Sequence, residues 1–467
     1  LVKLKSNNPD TTLAKATETV TLEFTSSEAI EEPSVLINGV AATLTGYGTS
    51  WQATYPVPDY RAMVSTFAGT AGTSGSTDGT GINANFNIPI GIVSEGNNLY
   101  VVDNSNHTIR KVVKSSGEVT TLAGTAETSG TADGSGTAAK FNKPTGIVSD
   151  GINLYVTDKF NHTIRKIVIS SGEVTTLAGL AGISGTTDGT GTTAKFYRPT
   201  GITTDGTNLY VTDTYNHTIR KIVISSGEVT TLAGVPETSG SMDGPGISAM
   251  FNFPALGITT DGNSLYVADK LNNTIRRISI ATGEVSTLAG SSGTSGTSDG
   301  IGTSAKFYRP TGLTTDGTNI YVVDNSNHTI RRIIIATGEV TTLAGAAGIP
   351  GSTDGNGKVA EFNKPVGITT DGDNLYLTDK SNHTIRKINV VGDTVNFRVD
   401  FADAAGNSGS ADSTTDSSRV VVDLEGDVGA WLNPHPRALG EVVARAPRRP
   451  GVQDLASKVY VRRCVGP

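Results

Sequence analysis

The sequence of 467 residues contains little sulfur, little charge and few aromatic side chains. It has one cysteine, which excludes a disulfide framework and a cysteine-ligated zinc site. Charged residues make up 17% of the chain, whereas about a quarter is usual. No apolar run reaches the roughly 18 residues of a membrane-spanning helix. Glycine is abundant instead, with 56 residues, beside many strand-forming Thr, Val and Ile, so we expect an all-β protein rather than a helical bundle.

The formal net charge of −7 is unevenly distributed along the chain. Residues 425–467 contain seven Lys/Arg and four Asp/Glu, a net charge of +3, so residues 1–424 carry −10. An acidic body without a basic stripe argues against nucleic acid as the main partner. We interpret residues 425–467, which hold Cys464 and His435, as a flexible or unrelated tail.

Six copies of one repeat occupy most of the sequence. Asn-His-Thr-Ile-Arg begins at Asn106 and recurs at intervals of 55 or 56 residues, and Asn273 replaces the histidine in the fourth copy. Five copies also contain Pro-x-Gly, whereas the fourth has one extra residue there (Pro254-Ala255-Leu256-Gly257). Every copy contains Asp-Gly and reads as four short strands joined by turns. In the third copy the predicted strands are Thr200–Thr204, Asn208–Asp213, Thr218–Ile224 and Glu228–Ala233.

The order of the strands favours a closed ring over an open stack. Thr-x-Ala-Gly ends the fourth strand, yet its first copy, Thr66–Gly69, precedes any complete repeat, and the sixth repeat lacks this strand. We therefore expect Val64–Gly69 to supply the outer strand of the last unit, which removes a free edge. The predicted fold of residues 62–390 is a six-bladed β-propeller with four-stranded blades and a strand-swapped closure.

The order Pro-x-Gly-Ile, Asp-Gly, Leu-Tyr-Val-x-Asp and Asn-His-x-Ile-Arg resembles the NHL-repeat family of six-bladed propellers. RNA binding is known among NHL propellers, but the acidic body argues against it here. Similar propeller enzymes, such as calcium-dependent lactonases and the amidating lyase, take metal ligands from near the x of Pro-x-Gly. No Asn, Asp, Glu or His occupies that position in this chain, where x is Ile90, Thr145, Thr200, Ala255, Thr311 and Val366.

A second pattern flanks the repeats in residues 12–60 and 391–424. Alternating apolar residues predict half-buried antiparallel strands, namely Thr19–Phe24, Ser34–Ile37, Trp51–Tyr55, Val395–Phe401 and Arg419–Val422. The segment from Asp403 to Asn407 resembles one found in bacterial Ig-like surface domains. We expect one small Ig-like β-sandwich that is split by the inserted propeller, and hence an extracellular or cell-surface location.

Two sets of polar residues recur in the repeats, and we predict a structural role for both. The histidines lie too far apart to share one metal ion, so we expect them to satisfy backbone groups of turns: His107, His162, His217, His328 and His383. The aspartates are expected to cap turns or pair with the repeat arginines: Asp103, Asp158, Asp213, Asp269, Asp324 and Asp379. The Asp-Gly loops, such as that at Asp78, carry few carboxylates for calcium. We expect no cofactor, with calcium as the alternative.

Recognition is expected where the repeats differ from one another. The variable positions before Pro-x-Gly and in the turn between strands two and three open on one face, and they carry aromatic residues with arginine, a composition found at binding hot spots. The predicted ligand face comprises Phe160, Tyr197, Arg198, Tyr215, Phe253, Leu271, Tyr308 and Arg309. The alternative is that these side chains only pack under the Gly-rich loops.

No nucleophile with a partner and no acid–base pair emerges from the repeats. We therefore predict a monomeric, non-catalytic module that binds a protein or carbohydrate ligand. The alternative function is a secreted calcium-dependent hydrolase, such as a lactonase or esterase.

Overall fold

A computed structural model describes residues 62–390 without a break. Outside them it describes residues 2–6, 13–14, 19–25, 30–37, 40–56, 394–395, 397–403, 408–411, 420–422, 440–443 and 458–461. The chain divides into two compact units, residues 62–390 and a unit formed by residues 1–61 with 391–467. The described residues contain strands and single-turn 3-10 helices but no α-helix. None of the helices in this part of the chain has the length and hydropathy needed to cross a bilayer.

Residues 62–390 form six antiparallel sheets, numbered here one to six along the chain. The first strands are Pro89–Glu95, Ile147–Ser149, Ile202–Thr204, Pro254–Thr260, Pro310–Thr315 and Pro365–Thr370. The second strands are Asn98–Asp103, Asn153–Asp158, Asn208–Asp213, Ser264–Asp269, Asn319–Asp324 and Asn374–Asp379. The third strands are Thr108–Val113, Thr163–Val168, Thr218–Val223, Thr274–Ser279, Thr329–Ile334 and Thr384–Asn389. The fourth strands are Glu118–Ala123, Glu173–Ala178, Glu228–Ala233, Val285–Gly290, Glu339–Ala344 and, for sheet six, Met63–Ala68.

The Gly-rich loops contain more regular structure than the sequence predicts. In five sheets a two-residue strand from the loop pairs with the fourth strand, so these sheets have five strands rather than four. These short strands are Gly79–Thr80, Gly134–Ser135, Gly189–Thr190, Gly300–Ile301 and Gly355–Asn356. Each is followed by a 3-10 turn: Gly81–Asn83, Gly136–Ala138, Gly191–Thr193, Gly302–Ser304 and Gly357–Val359. Further 3-10 turns join second and third strands at Asn104–Asn106, Thr214–Asn216, Asn325–Asn327 and Lys380–Asn382.

Sheet six is completed by the strand that enters the repeats. Met63–Ala68 pairs antiparallel with Thr384–Asn389, with Val64 opposite Ile388. This agrees with the swapped strand that the strand count predicts. The first and last segments of residues 62–390 therefore lie side by side in one sheet.

The six first strands contact one another in a closed circle, and sheet six contacts sheet one. The glycine of Pro-x-Gly allows neighbouring first strands to approach each other closely, because a Cβ atom on Gly146 would overlap the carbonyl oxygen of Thr200. A Cβ atom on Gly367 would likewise overlap the carbonyl oxygen of Ile90, across the junction between sheets six and one. At the same junction the Thr378 hydroxyl donates to Ile90 O at 2.8 Å.

The core lies between neighbouring sheets. Tyr155 and Ile164 of sheet two pack with Leu209 and Val211 of sheet three in one buried cluster, and the other sheet pairs repeat this arrangement. A fully buried phenylalanine ends each Gly-rich loop and belongs to this core: Phe86, Phe141, Phe196, Phe251, Phe307 and Phe362. Burial of this kind is the main stabilising contribution of such sheets.

The second unit is also built from strands. Segments from before and after residues 62–390 share its sheets, since Ile30–Ile37 pairs antiparallel with Phe397–Asp403. One sheet orders Gly440–Val443, Lys458–Val461, Val2–Ser6, Thr19–Thr25, Ser50–Pro56 and Thr43–Tyr47. The others order Ser408–Ala411, Phe397–Asp403, Ile30–Ile37 and Val40–Ala41, and Leu13–Ala14, Val420–Val422 and Thr394–Val395. Two of these strands belong to the predicted tail, whereas Cys464, His435 and most of the Asp403–Asn407 segment lie outside the described residues.

Candidate ligand-binding site

A cavity of about 420 Å³ opens where the six first strands meet. All six x residues of Pro-x-Gly line it: Ile90, Thr145, Thr200, Ala255, Thr311 and Val366. None of these side chains is aromatic or charged, and the circle of strands leaves open space at this end. The volume lies within the range of small-molecule sites, roughly 300–1,000 Å³.

Three lysines line the cavity and alternate around it. Lys159, Lys270 and Lys380 occupy equivalent turn positions in sheets two, four and six. Each side chain is half-buried, and burial lowers the pKa of all three. For Lys159, burial followed by the charges of Lys270, Arg198, Lys380 and Lys143 lowers the pKa to about 8.

The equivalent positions of sheets one, three and five have a different role. Asn104 Nδ2 donates to the carbonyl of Pro144 at 2.7 Å, which links sheet one to sheet two. Thr214 Oγ1 and Asn325 Nδ2 make the same contact to the prolines of sheets four and six, at 2.7 and 2.8 Å. One repeat position thus supplies an inter-sheet hydrogen bond in alternate sheets and a cation in the others.

The aromatic side of the cavity is a continuous cluster. Tyr215 and Phe253 line the cavity, with ring centroids 5.1 Å apart in an edge-to-face arrangement. Tyr197 packs against Tyr215 at 5.1 Å. The Arg198 guanidinium lies 4.7 Å from the Tyr215 centroid and 4.9 Å from that of Phe160, which joins the second sheet to the cluster. Such contacts hold an arginine by cation–π attraction.

The structure brings most of the predicted ligand face together. Tyr215, Phe253, Leu271 and Arg309 line the cavity, whereas Phe160, Tyr197 and Arg198 join them through ring contacts. Tyr308, which is 40% exposed, contacts only the guanidinium of Arg309 among the ring contacts found in the described residues.

Lys159, Lys270 and Lys380 lie in the variable turns between strands two and three, but the predicted ligand face includes only large apolar residues and arginines, so it missed these lysines. Their occurrence in every second repeat is the signal that could have found them.

The repeat histidines act as hydrogen-bond acceptors between sheets. His107 Nδ1 accepts the backbone N–H of Lys143 in sheet two at 2.9 Å. The other histidines accept from the residue before Pro-x-Gly of the following sheet in the same way. Asn273 preserves this contact, because its Oδ1 accepts the N–H of Arg309 at 2.9 Å. Asparagine also tolerates the left-handed backbone that it shares with the histidines, here at φ 58°.

These acceptors fix residues that surround the cavity. The residue before each Pro-x-Gly has positive φ, as at Lys143 (49°) and Arg198 (54°), which is uncommon for a non-glycine residue. The histidine contact holds that strained backbone in place. Burial lowers the pKa of His107 and its equivalents, so the imidazole stays a neutral acceptor.

The repeat aspartates are the inner half of a buried ion-pair network. In sheet three, Asp213 Oδ2 lies 2.9 Å from Arg220, and Asp213 Oδ1 accepts the N–H of Tyr197 at 2.7 Å. The Asp-Gly carboxylate of Asp188 binds the other end of the same guanidinium at 2.6 Å and accepts from the Thr231 hydroxyl at 3.0 Å. The predicted pairing with the arginine of the same repeat is present in all six sheets.

The Asp-Gly loops, considered above for calcium, thus use their carboxylates to bind arginine. Among the described residues no group of three His, Cys, Asp or Glu side chains is placed to hold a metal ion.

Sequence comparison identifies an NHL repeat at residues 196–222, from buried Phe196 into the third strand of sheet three. Human NHL repeat-containing protein 2 is 28% identical over 324 residues, covering 62% of this chain and 44% of that protein. The chloroplastic protein SUPPRESSOR OF QUENCHING 1 of Arabidopsis thaliana is 29% identical over 287 residues, covering 58% of this chain and 27% of that protein. The chain spans less than half the length of these curated relatives.

Solved structures of similar fold include proteins from Bacteroides. A structural genomics protein of unknown function from Bacteroides thetaiotaomicron has a TM-score of 0.56 at 20% identity, covering 83% of this chain and 98% of that one. An auxiliary nutrient binding protein from Bacteroides ovatus has a TM-score of 0.56 at 18% identity, covering 83% and 97%. At this identity the similarity concerns the fold. The chain is therefore an all-β protein of several four- and five-stranded sheets that contains an NHL repeat and resembles NHL-repeat proteins.

Proposed function

We propose that residues 62–390 are a six-bladed β-propeller that binds a ligand, protein or carbohydrate, at the cavity face. The closed circle of six first strands supports the blade count. The observation that carries the function is the cavity itself, where aromatic and cationic side chains from several sheets converge on one opening. Concave sites with apolar walls and a few convergent polar groups are the usual form of a ligand site.

We further propose that the flanking segments form an Ig-like carrier domain of an extracellular or cell-surface protein. The pairing of Ile30–Ile37 with Phe397–Asp403 supports a single domain built from both segments. The solved structures of similar fold cover 83% of this chain. Residues 62–390 account for only 329 of the 467 residues, about 70%, so the similarity extends into the flanking segments. One of those structures is of a protein described as nutrient-binding, which fits a module that captures a ligand.

The side chains at the cavity favour binding over calcium chemistry. Calcium takes six to eight oxygen ligands, mostly carboxylates and carbonyls. The lining offers lysines, an arginine and threonine hydroxyls, and no carboxylate is among the described residues that line it. The donor set therefore does not fit calcium.

The experiment is a glycan and peptide array probed with the full chain. The Tyr197→Ala/Tyr215→Ala double variant should lose binding at least about tenfold, because Tyr215 lines the cavity and Tyr197 packs against its ring. Ile247→Ala is the control, since Ile247 is an apolar residue that is 81% exposed and is not among the residues that line the cavity. Equal binding by the double variant and the wild type would refute the proposed face.

The hydrolase alternative is tested on the same preparation. Metal analysis is combined with a panel of lactones and esters, assayed with and without chelator. We expect no chelator-sensitive turnover, and turnover that tracks bound calcium would refute the binding-only proposal.

A further inference from the structure

The cations at the cavity are concentrated within an otherwise acidic protein. Residues 1–424 carry a net charge of −10, yet the cavity lining contains Lys159, Lys270, Lys380 and Arg309 and no acidic side chain among the described residues. A local excess of one sign inside a concave site focuses its field on the opening and attracts ions of the opposite sign.

The three lysines have no carboxylate partner within ion-pair distance in the described part of the chain. The aspartates that precede them in sequence, Asp158, Asp269 and Asp379, are fully buried and bound to the repeat arginines. Each half-buried ammonium group therefore keeps its charge available at the cavity. Placing like charges together without a counter-ion costs stability, and a bound anion would remove that cost.

The charge at the cavity comes from its cationic side chains. Thr145, Thr200, Thr214 and Thr311 also line the cavity, but their hydroxyl groups are hydrogen-bonded within the protein, so the lysines and Arg309 are the groups left to meet a ligand's charge. The lysines belong to sheets two, four and six, so they approach the cavity from three directions in a near-threefold arrangement. A ligand with a single charge could neutralise one ammonium group well but not all three.

We propose that this cavity binds a compact polyanion, a small molecule with two or more carboxylate, phosphate or sulfate groups that face Lys159, Lys270 and Lys380. The inference rests on the proposed function, because it assigns the ligand class of the same cavity. The 420 Å³ volume admits a small molecule and not a folded domain.

The test is isothermal titration of the full chain with three probes that distinguish the sources of the charge. The probes are citrate for carboxylates, fructose 1,6-bisphosphate for phosphates and sucrose octasulfate for sulfates, and glucose is the neutral control. At least one anion should bind, and the affinity should fall as NaCl rises from about 50 to 300 mM, because salt screens the attraction.

Two triple variants each remove three lysine charges, one set inside the cavity lining and one set outside it. The triple variant Lys159→Gln/Lys270→Gln/Lys380→Gln should weaken the bound anion about 100-fold or more, since charge-assisted hydrogen bonds are lost at three positions. The control variant Lys111→Gln/Lys166→Gln/Lys221→Gln neutralises three half-buried lysines of the third strands, outside the cavity lining. Its affinity should stay within about twofold of wild type, and circular dichroism verifies that both variants fold.

Three results would overturn the proposal: equal weakening in both variants, unchanged affinity in the cavity variant, or no binding of any small anion by the wild type. If none of the anions binds but the arrays detect a neutral ligand whose binding needs Tyr215, the polyanion proposal is refuted while the proposed binding function stands.

Discussion

The buried ion-pair network allows a sharp prediction about stability, because each repeat arginine binds one buried and one half-exposed carboxylate. In sheet three, Asp213 has a fully buried side chain and Asp188 is 48% exposed, and both bind Arg220. Asp213→Asn and Asp188→Asn therefore each remove one carboxylate charge beside the same guanidinium, the first in a buried and the second in a half-exposed environment.

The expected magnitudes differ severalfold. The carboxylate of Asp213 accepts from three donors: the N–H of Tyr197 at 2.7 Å, Asn216 Nδ2 at 2.7 Å and Arg220 at 2.9 Å. An asparagine amide would turn an N–H₂ group toward at least one of these donors, so Asp213→Asn should lower the free energy of unfolding by about 3–5 kcal/mol. Asp188→Asn should cost about 1 kcal/mol or less, because water screens a half-exposed pair.

The desolvation of the buried Asp213 carboxylate acts against this expected loss of stability. Burial raises the pKa of Asp213 to about 6, against the lowering effects of Arg220 and the N–H of Tyr197. The ionised carboxylate therefore has a desolvation cost that asparagine avoids. We expect the loss of acceptors to outweigh that saving, because the buried arginine stays charged in the variant.

The assay is urea unfolding at pH 7 followed by tyrosine near-UV circular dichroism. Both tryptophans, Trp51 and Trp431, lie outside residues 62–390, so tyrosine signals report mainly on the six sheets. Asp188→Asn serves as the control for lost charge. If Asp213→Asn were as stable as wild type, or more stable, the hydrogen-bond argument would be refuted and desolvation would be the larger effect.

Two further predictions use contrasts within the chain. His107→Asn should leave the free energy of unfolding nearly unchanged at pH 7.5, because Asn273 makes the same backbone contact in the fourth repeat. Because burial lowers the pKa of His107 below 6.5, the unfolded chain binds the proton first and stability falls as the pH drops below 6.5. The variant should therefore lose less stability than wild type between pH 7.5 and 5, and the difference should be at most about 1.4 kcal/mol per pH unit. Urea unfolding at each pH measures it. Parallel pH profiles of the two proteins would contradict the neutral-acceptor role. Gly146→Ala should cost about 3 kcal/mol or more, because its Cβ would overlap Thr200 O. Gly151→Ala, at φ 90° with open space, should cost only about 1–2 kcal/mol; equal melting-temperature losses would refute the close-approach argument.

Much of the sheet structure is predictable because its causes are local. The second and fourth strands of the third repeat, Asn208–Asp213 and Glu228–Ala233, have the predicted bounds. Alternating apolar residues predict both strands, and the turns Asp205-Gly206 and Ser225-Ser226-Gly227 set where they begin. The entering strand, Met63–Ala68, was predictable from counting, since a missing fourth strand in the last repeat leaves one partner for it.

The parts that escaped prediction depend on distant neighbours. The two-residue strand Gly79–Thr80 has no apolar pattern and exists because Glu118–Val119 presents a free edge. His107 and Lys143 are 36 residues apart, and only the placement of neighbouring sheets shows that they share a hydrogen bond. The lysines were visible in the sequence, but their convergence on one cavity follows from the closed circle of strands.

Comparison of the six repeats separates residues that build every sheet from residues that vary between sheets. Six copies share the buried aspartate and arginine, so these residues are needed wherever a sheet is built. The turn position of Lys159 behaves differently, because sheets one, three and five use it for a hydrogen bond to a neighbouring proline carbonyl. In sheets two, four and six that contact is replaced by a lysine with no ion-pair partner among the described residues. Since the other three sheets show that a stabilising residue fits there, packing alone does not account for the lysines, whereas the proposed polyanion would.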